Sequence, residues 1–294
     1  MNRIKKHIES IIKRIKTRSS NNKNKTMPGA KKILAGILIA MVVFSLYNLY
    51  DIQRDRSANQ RTIDEAQRIF SMSDSTSENL NNGSDVLNNG NGDIERSIEY
   101  NEELIREPNQ EILSLKERNE DVVGWINISN TNIDYPIVQA EDNAFYHRRD
   151  WLGNSSVPGS IFLDYRNSAV EFSKPATHSI IYGHHIRDGS MFQNLMKYKD
   201  YDFYEENRII EITDLYDTHR FEIFSAYITT TEFYFIQTYF ALPPLFTNLA
   251  NEFIERSMHP TNAEITTDDH ILTLVTCTYE YDDARFVVHA RRID

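Results

Sequence analysis

Cysteine is almost absent from this sequence, since Cys277 is the only one in a chain of 294 residues. A single thiol excludes an internal disulfide, and it excludes a structural zinc site built from several cysteines. No pair of histidines has the HExxH spacing of a zinc-binding helix. Five histidines show no metal-ligand spacing: His147, His178, His219, His259 and His270. We therefore expect a chain that works without a metal.

Long hydrophobic runs are also scarce, and the one that stands out is Ile33–Tyr50, eighteen residues without a charge. A helix of that length spans roughly 27 Å, close to the hydrocarbon thickness of a bilayer. A cleaved signal peptide and a buried core helix are the alternatives. No clear small-residue cleavage site follows the run, and Tyr47 and Tyr50 lie where interfacial aromatic residues belong. We favour an uncleaved membrane anchor that crosses once.

Acidic residues are nearly absent from the N-terminal segment. Residues 1–32 contain eleven Lys or Arg and one acid, Glu9, whereas residues 51–294 contain 21 basic and 42 acidic residues. The positive-inside rule predicts that the basic segment lies in the cytoplasm and that everything after the anchor lies outside. Because the acidic body would repel phosphate groups, we set nucleic acid aside as a partner.

Composition divides the chain into four parts: a basic segment at 1–32, the anchor at 33–50, a polar stalk and flexible linker at 51–93, and an extracellular folded domain at 94–294. In the third part, Asp51–Phe70 is predicted to be helical, and Ser71–Asp93 is rich in the small polar residues of a disordered spacer. Apolar spacing then predicts two short helices, one over Ile94–Ile105 and one beginning at Pro108.

Eight short runs of β-branched and aromatic residues, separated by turn residues, predict eight strands. They are Val123–Ile128, Asn132–Val138, Ser160–Asp164, Ser179–Tyr182, Arg208–Thr213, Arg220–Thr230, Ile271–Thr276 and Arg285–Arg291. Their even spacing is typical of a closed barrel or a sandwich, so the fold class is mainly β. Apolar residues four apart predict one amphipathic helix, Pro244–Met258, directly before the seventh strand.

The last two strands would bring a thiol and a guanidinium to the same rim. Cys277 follows the buried run Ile271–Thr276, so it lies where a strand ends and a loop begins. Arg285 opens the next strand after a seven-residue polar loop. An antiparallel hairpin would therefore place the side chains of Cys277 and Arg285 in one cleft.

A histidine can activate the thiol, because an ordinary cysteine titrates near 8.5 and is mostly protonated at neutral pH. The sequence YGHH ends a strand-like run at Tyr182, and Gly183 marks a turn, so His184 projects from a strand end. Its neighbour His185 is an equal candidate on the residues alone. The three groups together suit acyl transfer, in which a thiolate attacks a carbonyl carbon and an arginine stabilises the developing oxyanion.

Four neighbouring residues are weaker candidates. Thr276 packs next to the thiol and is a candidate substrate contact. Asp282 and Asp283 could orient the arginine, although acids in a loop are usually just solvated. His289 lies within the last strand, where a histidine is more often structural than reactive.

Three separated motifs resemble one known family, the sortases. TLVTC at residues 273–277, followed eight positions later by Arg285, resembles the sortase signature, and YGHH resembles the sortase histidine turn. PGSIFLDYRN at Pro158–Asn167 and the ending RFVVHARR are similar to class B sortases. The resemblance covers roughly Glu95–Ile293, and it departs from the class B pattern at Val275, where serine is frequent.

The resemblance implies a sortase-type closed barrel of about eight strands with N-terminal helices, and it implies a cysteine transpeptidase. Cys277 would cleave a C-terminal sorting signal after its threonine and hold the product as a thioacyl enzyme. His184, the histidine directly after the glycine, would exchange protons, and Arg285 would polarise the threonine carbonyl. The resemblance implies no cofactor, because the thioester conserves the energy of the bond that was cut.

The implied partners are surface proteins with an NPxTN-like or related signal and a peptidoglycan amine that accepts them. A pilin-linking sortase, in which a pilin lysine is the acceptor, is the nearest alternative. A membrane-anchored cysteine protease would let water complete the reaction. A catalytically silent surface-binding domain is disfavoured, because all three reactive residue types are present.

Overall fold

The computed structural model describes residues 29–80, 107–168, 172 and 177–294. Within these residues lie strands β1 to β8, which are Val122–Asn127, Asp134–Val138, Ile161–Leu163, Thr177–Tyr182, Ile209–Thr213, Thr218–Thr229, His270–Cys277 and Arg285–Arg292. Helices α1 to α4 are Gly29–Leu80, Gln110–Lys116, Tyr201–Glu206 and Pro243–Arg256. Two 3₁₀ helices span Tyr146–Arg148 and Phe192–Lys199.

The strands close into a barrel in the order β1, β2, β3, β4, β7, β8, β6, β5. Two neighbouring pairs, β2 with β3 and β4 with β7, are parallel, and the other pairs are antiparallel. Closure leaves no long free edge of the kind that a sandwich must protect. The predicted fold class, a mainly β closed barrel of eight strands, is confirmed, and the alternative of a sandwich is wrong.

Buried apolar side chains form three separate clusters, of which one fills the barrel and another lies on its outer face under α4. Along β7, Leu272 and Leu274 belong to the inner cluster, to which all eight strands contribute. Ile271 and Val275 alternate with them and pack outside, under α4, where Phe253 is fully buried. Burying one phenylalanine side chain contributes roughly 1.5–3 kcal/mol, so α4 is firmly seated beside the end of β7.

Helix α1 contains an apolar stretch beginning at Ile33 that is long enough to cross a membrane. The large apolar side chains of Ile33–Ile52 are exposed in the structure, as expected for side chains that face lipid. The chain divides into two compact units, of which the first ends at Gln53 and the second is Arg54–Asp294.

The part of α1 after Gln53 packs on the barrel, although the sequence had assigned it to a polar stalk. Ile63 and Ala66 are buried in the core clusters. The indole nitrogen of Trp151 donates to the carbonyl of Thr62 at 2.7 Å. The backbone stays helical through Leu80, so the first ten residues of the predicted linker are helical here. The rest of that linker lies outside the described residues.

The short helix predicted at Pro108 is present as α2, Gln110–Lys116. The side chain of Asn109 caps it by accepting a hydrogen bond from the backbone N–H of Ile112 at 2.8 Å. The helix predicted over Ile94–Ile105 lies outside the described residues.

Candidate active site

Cys277 is the last residue of β7, and Arg285 is the first residue of β8. The antiparallel register pairs these two residues directly. The backbone N–H of Thr278 donates to the carbonyl of Ala284 at 3.1 Å, which closes the connecting loop just beyond the pair. Both side chains are half-buried, so each is held in place and still accessible. The predicted hairpin geometry is therefore present.

Arg285 has a carboxylate partner, Asp283. Its Nη2 lies 3.0 Å from Asp283 Oδ1. The other oxygen of Asp283 accepts the backbone N–H of Thr231 at 3.2 Å, and it also accepts the hydroxyl of Thr231. Asp283 thus orients the guanidinium and links it to Thr231 in the segment after β6. It differs in this from the usual loop acid, which contacts only solvent.

His184 reaches the same region because β4 runs parallel to β7. Tyr182 pairs with Val275, and the backbone N–H of Gly183 donates to the carbonyl of Val275 at 3.1 Å. A Cβ atom at Gly183 would lie 2.5 Å from Ile161 and 2.7 Å from the ring of Phe192. A side chain would therefore force neighbouring groups to move, and glycine lets β4 deliver the histidine at this point.

The ring of His184 is oriented by the backbone of His147. Its Nε2 lies 2.8 Å from the carbonyl oxygen of His147, so Nε2 carries the proton that is donated. In the neutral ring, Nδ1 is then the nitrogen that can accept a proton. Gly159, at φ +65°, lets the chain approach this carbonyl, because an added Cβ would lie 2.5 Å from its oxygen.

The surroundings of His184 favour the neutral form of its imidazole, because they lower its pKa. Burial lowers its pKa, the hydrogen bond to the His147 carbonyl partly opposes that effect, and the nearby charge of Arg148 lowers the pKa further. The net pKa is below the ordinary value. A neutral imidazole can accept the proton of a thiol, which is the first requirement for activating one.

His185 makes a different contact. Its Nδ1 donates to the backbone carbonyl of Cys277 at 3.0 Å, and its ring lies against Tyr279 with centroids 5.0 Å apart. This ring buttresses the end of β7, whereas His184 lines the cavity that contains the thiol.

One cavity of about 200 Å³ is lined by the three predicted reactive residues, His184, Cys277 and Arg285, and by the predicted substrate contact Thr276. Its lining comprises His147, Phe162, Tyr182, Gly183, His184, Thr231, Phe235, Ile236, Val275, Thr276, Cys277 and Arg285. The hydroxyl of Thr276 is buried and has no hydrogen-bond partner among the described residues. The structure thus brings His184, Thr276, Cys277 and Arg285 together, while their chemical roles stay predictions.

A larger cavity of about 620 Å³ lies between α1 and the turn Asp188–Ser190. Amide, hydroxyl and carboxylate groups dominate its lining, and none of its described lining residues carries a thiol or an imidazole. The smaller cavity is therefore the better candidate for the active site, because it contains a thiol and an imidazole and the larger one contains neither. Within the part of the chain that the structure describes, no cluster of three or more His, Cys, Asp or Glu is arranged to hold a metal ion.

Sequence reasoning missed the contacts of three residues around the site, Asp164, Arg166 and His178. Asp164 and Arg166, within the motif PGSIFLDYRN, form an ion pair at 2.7 Å beside the cavity. His178 and His289 are buried and hydrogen-bonded to the same threonine, Thr273. The available signal for the first two was the motif itself, although the sequence alone assigns no role to its aspartate and arginine.

Comparisons with known proteins agree with this arrangement. The sortase domain family matches residues 126–293. Sortase B of Listeria monocytogenes is 30% identical over 264 residues, which are 89% of this chain and 96% of that protein. Sortase B of Bacillus anthracis in complex with AAEK1 is 32% identical with a TM-score of 0.65, covering 83% of this chain and 100% of that chain. A Staphylococcus aureus sortase B-substrate complex is 29% identical with a TM-score of 0.66, covering 82% and 99%.

The matched family region spans more than half of the chain and includes both strands that carry the thiol and the guanidinium. The three motifs that suggested the family each contribute residues to the lining of the Cys277 cavity. The chain belongs to the sortase family, and the relatives it resembles are sortases of class B.

Proposed function

We propose that this chain is a transpeptidase that cuts a sorting signal after its threonine and transfers the resulting acyl group to a peptidoglycan amine. Members of the sortase family are cysteine transpeptidases that act on proteins bearing sorting signals. One observation carries the proposal for this chain: the only thiol, Cys277, shares a cavity with the imidazole of His184 and the guanidinium of Arg285.

The first half-reaction makes a thioester. The proton of Cys277 passes to His184, and the sulfur attacks the carbonyl carbon of the substrate threonine. The carbon–nitrogen bond then breaks, and the leaving amine takes the proton back from His184. The lowered pKa of His184 favours the neutral ring and thereby supports the first transfer, because a protonated ring could not accept the thiol proton.

The second half-reaction reverses these steps with a new amine. The amine attacks the thioester carbon, His184 accepts its proton, and the carbon–sulfur bond breaks to return the thiol. One amide is exchanged for another, so neither an oxidant nor a cofactor enters the balance.

Arg285 stabilises the oxygen of the threonine carbonyl while that oxygen gains negative charge. Asp283 holds the guanidinium by an ion pair at 3.0 Å, which limits its reorganisation during the reaction. Thr276 is the proposed substrate contact, and its buried hydroxyl without a partner is consistent with a role toward a bound group.

The substrate we propose is a surface protein with an NPxTN-like signal, in keeping with the likeness to a class B sortase solved with a substrate. The basic segment of residues 1–32 would stay in the cytoplasm, and the stretch 33–50 of α1 would anchor the enzyme so that the barrel faces the cell wall. One apolar helix compatible with a single membrane crossing supports this placement.

Mass spectrometry of the reaction products tests the proposal. The full chain in detergent is incubated with NPxTN-type and other sorting-signal peptides, with and without triglycine or a lysine peptide. We expect cleavage after threonine and an amide to the added amine, and neither product with Cys277→Ala. A product that carries only water while the amine is present would favour the cysteine protease. Transfer to the lysine peptide alone would favour a pilin-linking enzyme.

A further inference from the structure

Residues 231–237, which we call the wall segment, form one side of the Cys277 cavity. The segment follows β6 and contributes Thr231, Phe235 and Ile236 to the cavity lining. It adopts neither helix nor strand, so a regular ladder of backbone hydrogen bonds does not fix it. Contacts with side chains elsewhere in the chain must therefore determine its position.

The first contact starts from a buried carboxylate, Asp164. Its two oxygens accept hydrogen bonds from the guanidinium of Arg166 at 2.7 and 2.8 Å, and the hydroxyl of Tyr182 donates to it at 2.9 Å. Burial would raise the pKa of Asp164, but the hydrogen bonds from Arg166, Tyr182 and Asn143 outweigh burial and hold that pKa below its ordinary value. The guanidinium is thus locked in one orientation.

From this fixed position, Arg166 reaches the wall segment at two points. Its Nη1 donates to the hydroxyl of Tyr234 at 2.9 Å, and its Nη2 donates to the carbonyl of Ile236 at 3.0 Å. These two residues flank Phe235, whose ring lines the cavity. One planar guanidinium therefore ties a buried carboxylate in the barrel to both sides of Phe235.

The second contact comes from His178, which is fully buried in β4. Its Nδ1 donates to the carbonyl of Gln237 at 2.8 Å, so its Nε2 must accept from the hydroxyl of Thr273 at 2.6 Å. Thr273 in turn accepts from His289 Nδ1 at 2.7 Å, and His289 Nε2 accepts from the hydroxyl of Tyr227 at 3.0 Å. Because the carbonyl of Gln237 can only accept, each proton in this series of hydrogen bonds, from Gln237 to Tyr227, has one assigned position.

We propose that Arg166 and His178 are positioning residues that hold the wall segment against the barrel and thereby set how tightly the site binds its peptide. The proposal rests on the proposed function for its kinetic part alone. Neither residue belongs to the set that lines the cavity, so each acts through the wall segment. Thr231, the first residue of the segment, keeps its own contact with Asp283. Loss of either contact therefore frees Phe235 and Ile236 while Cys277, His184 and Arg285 stay in place.

Two variants test the arginine contact in the full chain. Arg166→Lys keeps a positive charge near Asp164, but one ammonium group does not span the carboxylate and both wall acceptors. Tyr234→Phe removes a single hydroxyl from an exposed side chain and leaves the ion pair intact. Arg208→Lys is the matched control. The side chain of Arg208 is similarly exposed, and two of its nitrogens donate to the backbone carbonyl of Ile223, which lies outside the wall segment.

The imidazole contact has its own pair of variants. His178→Leu removes the donor to Gln237, whereas His178→Gln retains an amide that can donate to that carbonyl and accept from Thr273. We expect His178→Leu to loosen the wall segment and His178→Gln to restore most of its protection.

Hydrogen exchange is the first readout. In Arg166→Lys and His178→Leu, amides of residues 231–237 should exchange about tenfold faster than in the parent chain, with a smaller increase in Tyr234→Phe. Exchange in β1 and β2 should not change, and Arg208→Lys should leave the wall segment unaffected. Unchanged exchange at 231–237 in Arg166→Lys and Tyr234→Phe, or an equal increase throughout the barrel, would overturn the proposal.

Kinetics with an NPxTN-type peptide give the second readout. The loosened variants should raise KM about tenfold with kcat within about twofold, since the reacting groups are not displaced. A fall in kcat at constant KM would contradict the assigned role. If the parent chain turns over none of the peptides, the proposed function fails, and the exchange measurement still decides whether Arg166 and His178 hold the wall.

Discussion

At the residue scale, His184 and His185 have the same side chain and different contacts. His184 donates Nε2–H to the carbonyl of His147, and it lines the cavity that contains Cys277. His185 donates to the backbone carbonyl of Cys277 itself. The first ring is therefore our candidate for proton transfer, while the second one supports the strand end that carries the sulfur.

Separate alanine substitutions distinguish these two roles. We expect His184→Ala to lower kcat/KM about 10³-fold, because a general acid–base contributes roughly 10²–10⁴ in rate. His185→Ala should lower it less than about tenfold, because it removes one hydrogen bond to a carbonyl. Initial rates on an NPxTN-type peptide measure both effects. A larger loss in His185→Ala would assign the proton transfer to the other ring.

The sequence could propose Cys277, His184 and Arg285 as candidates because each lies at or just beyond the end of a strand and within a short motif. The supporting contacts could not be predicted, because their partners are distant in the chain. Arg166 binds a carbonyl 70 residues away, and His178 binds one 59 residues away. Local patterns contain no information on such pairs until the barrel fixes the register of β4 and β7.

At the element scale, three strand ends carry the site and one irregular segment closes it. The predicted strands agree with the observed ones to within about two residues, since runs of β-branched and aliphatic residues mark strands that are buried along most of their length, as in β7. Helix α4 begins at Pro243, one residue before its predicted start, and ends at Arg256. The wall segment has no periodicity, so its place against the barrel could not be predicted.

The buried histidines of β4, β7 and β8 predict a loss of stability in acid. Burial lowers the pKa of His178 to about 4 and that of His270 to about 3, and it lowers the pKa of His289 well below its ordinary value. These groups bind more protons unfolded than folded, so stability is full above about pH 6.5 and falls as the pH drops toward 4. His178 alone accounts for on the order of 3 kcal/mol.

Denaturant unfolding of the full chain at a series of pH values from about 7.5 to about 4 measures this loss. The free energy of unfolding should decrease steadily below about pH 6.5, and His178→Gln should show a shallower decrease because one buried titrating group is gone. A free energy that stays constant down to about pH 4.5 would show that the buried rings do not govern acid stability.

At the scale of the whole molecule, α1 contains both the apolar stretch of the first unit and the start of the barrel unit. Its apolar stretch was evident from the sequence because it lacks any charge. The packing of Ile63 and Ala66 was not, because these residues are sparse apolar positions in a polar segment that reads as solvent-exposed. The closed barrel was predictable from eight strands and the family motifs, whereas the burial of part of the stalk required the tertiary structure.

The central claim is that Cys277 carries the substrate as a thioester, and the intact mass of the enzyme tests it most directly. The full chain is mixed with an NPxTN-type peptide, and no acceptor amine is added. The reaction is quenched in acid at successive times, and the intact mass of the enzyme is measured by mass spectrometry. We predict an added mass equal to the peptide fragment ending in threonine, located on Cys277, released by hydroxylamine and absent from Cys277→Ala. Turnover of the peptide with no adduct at any time, or an adduct that persists in Cys277→Ala, would contradict the account.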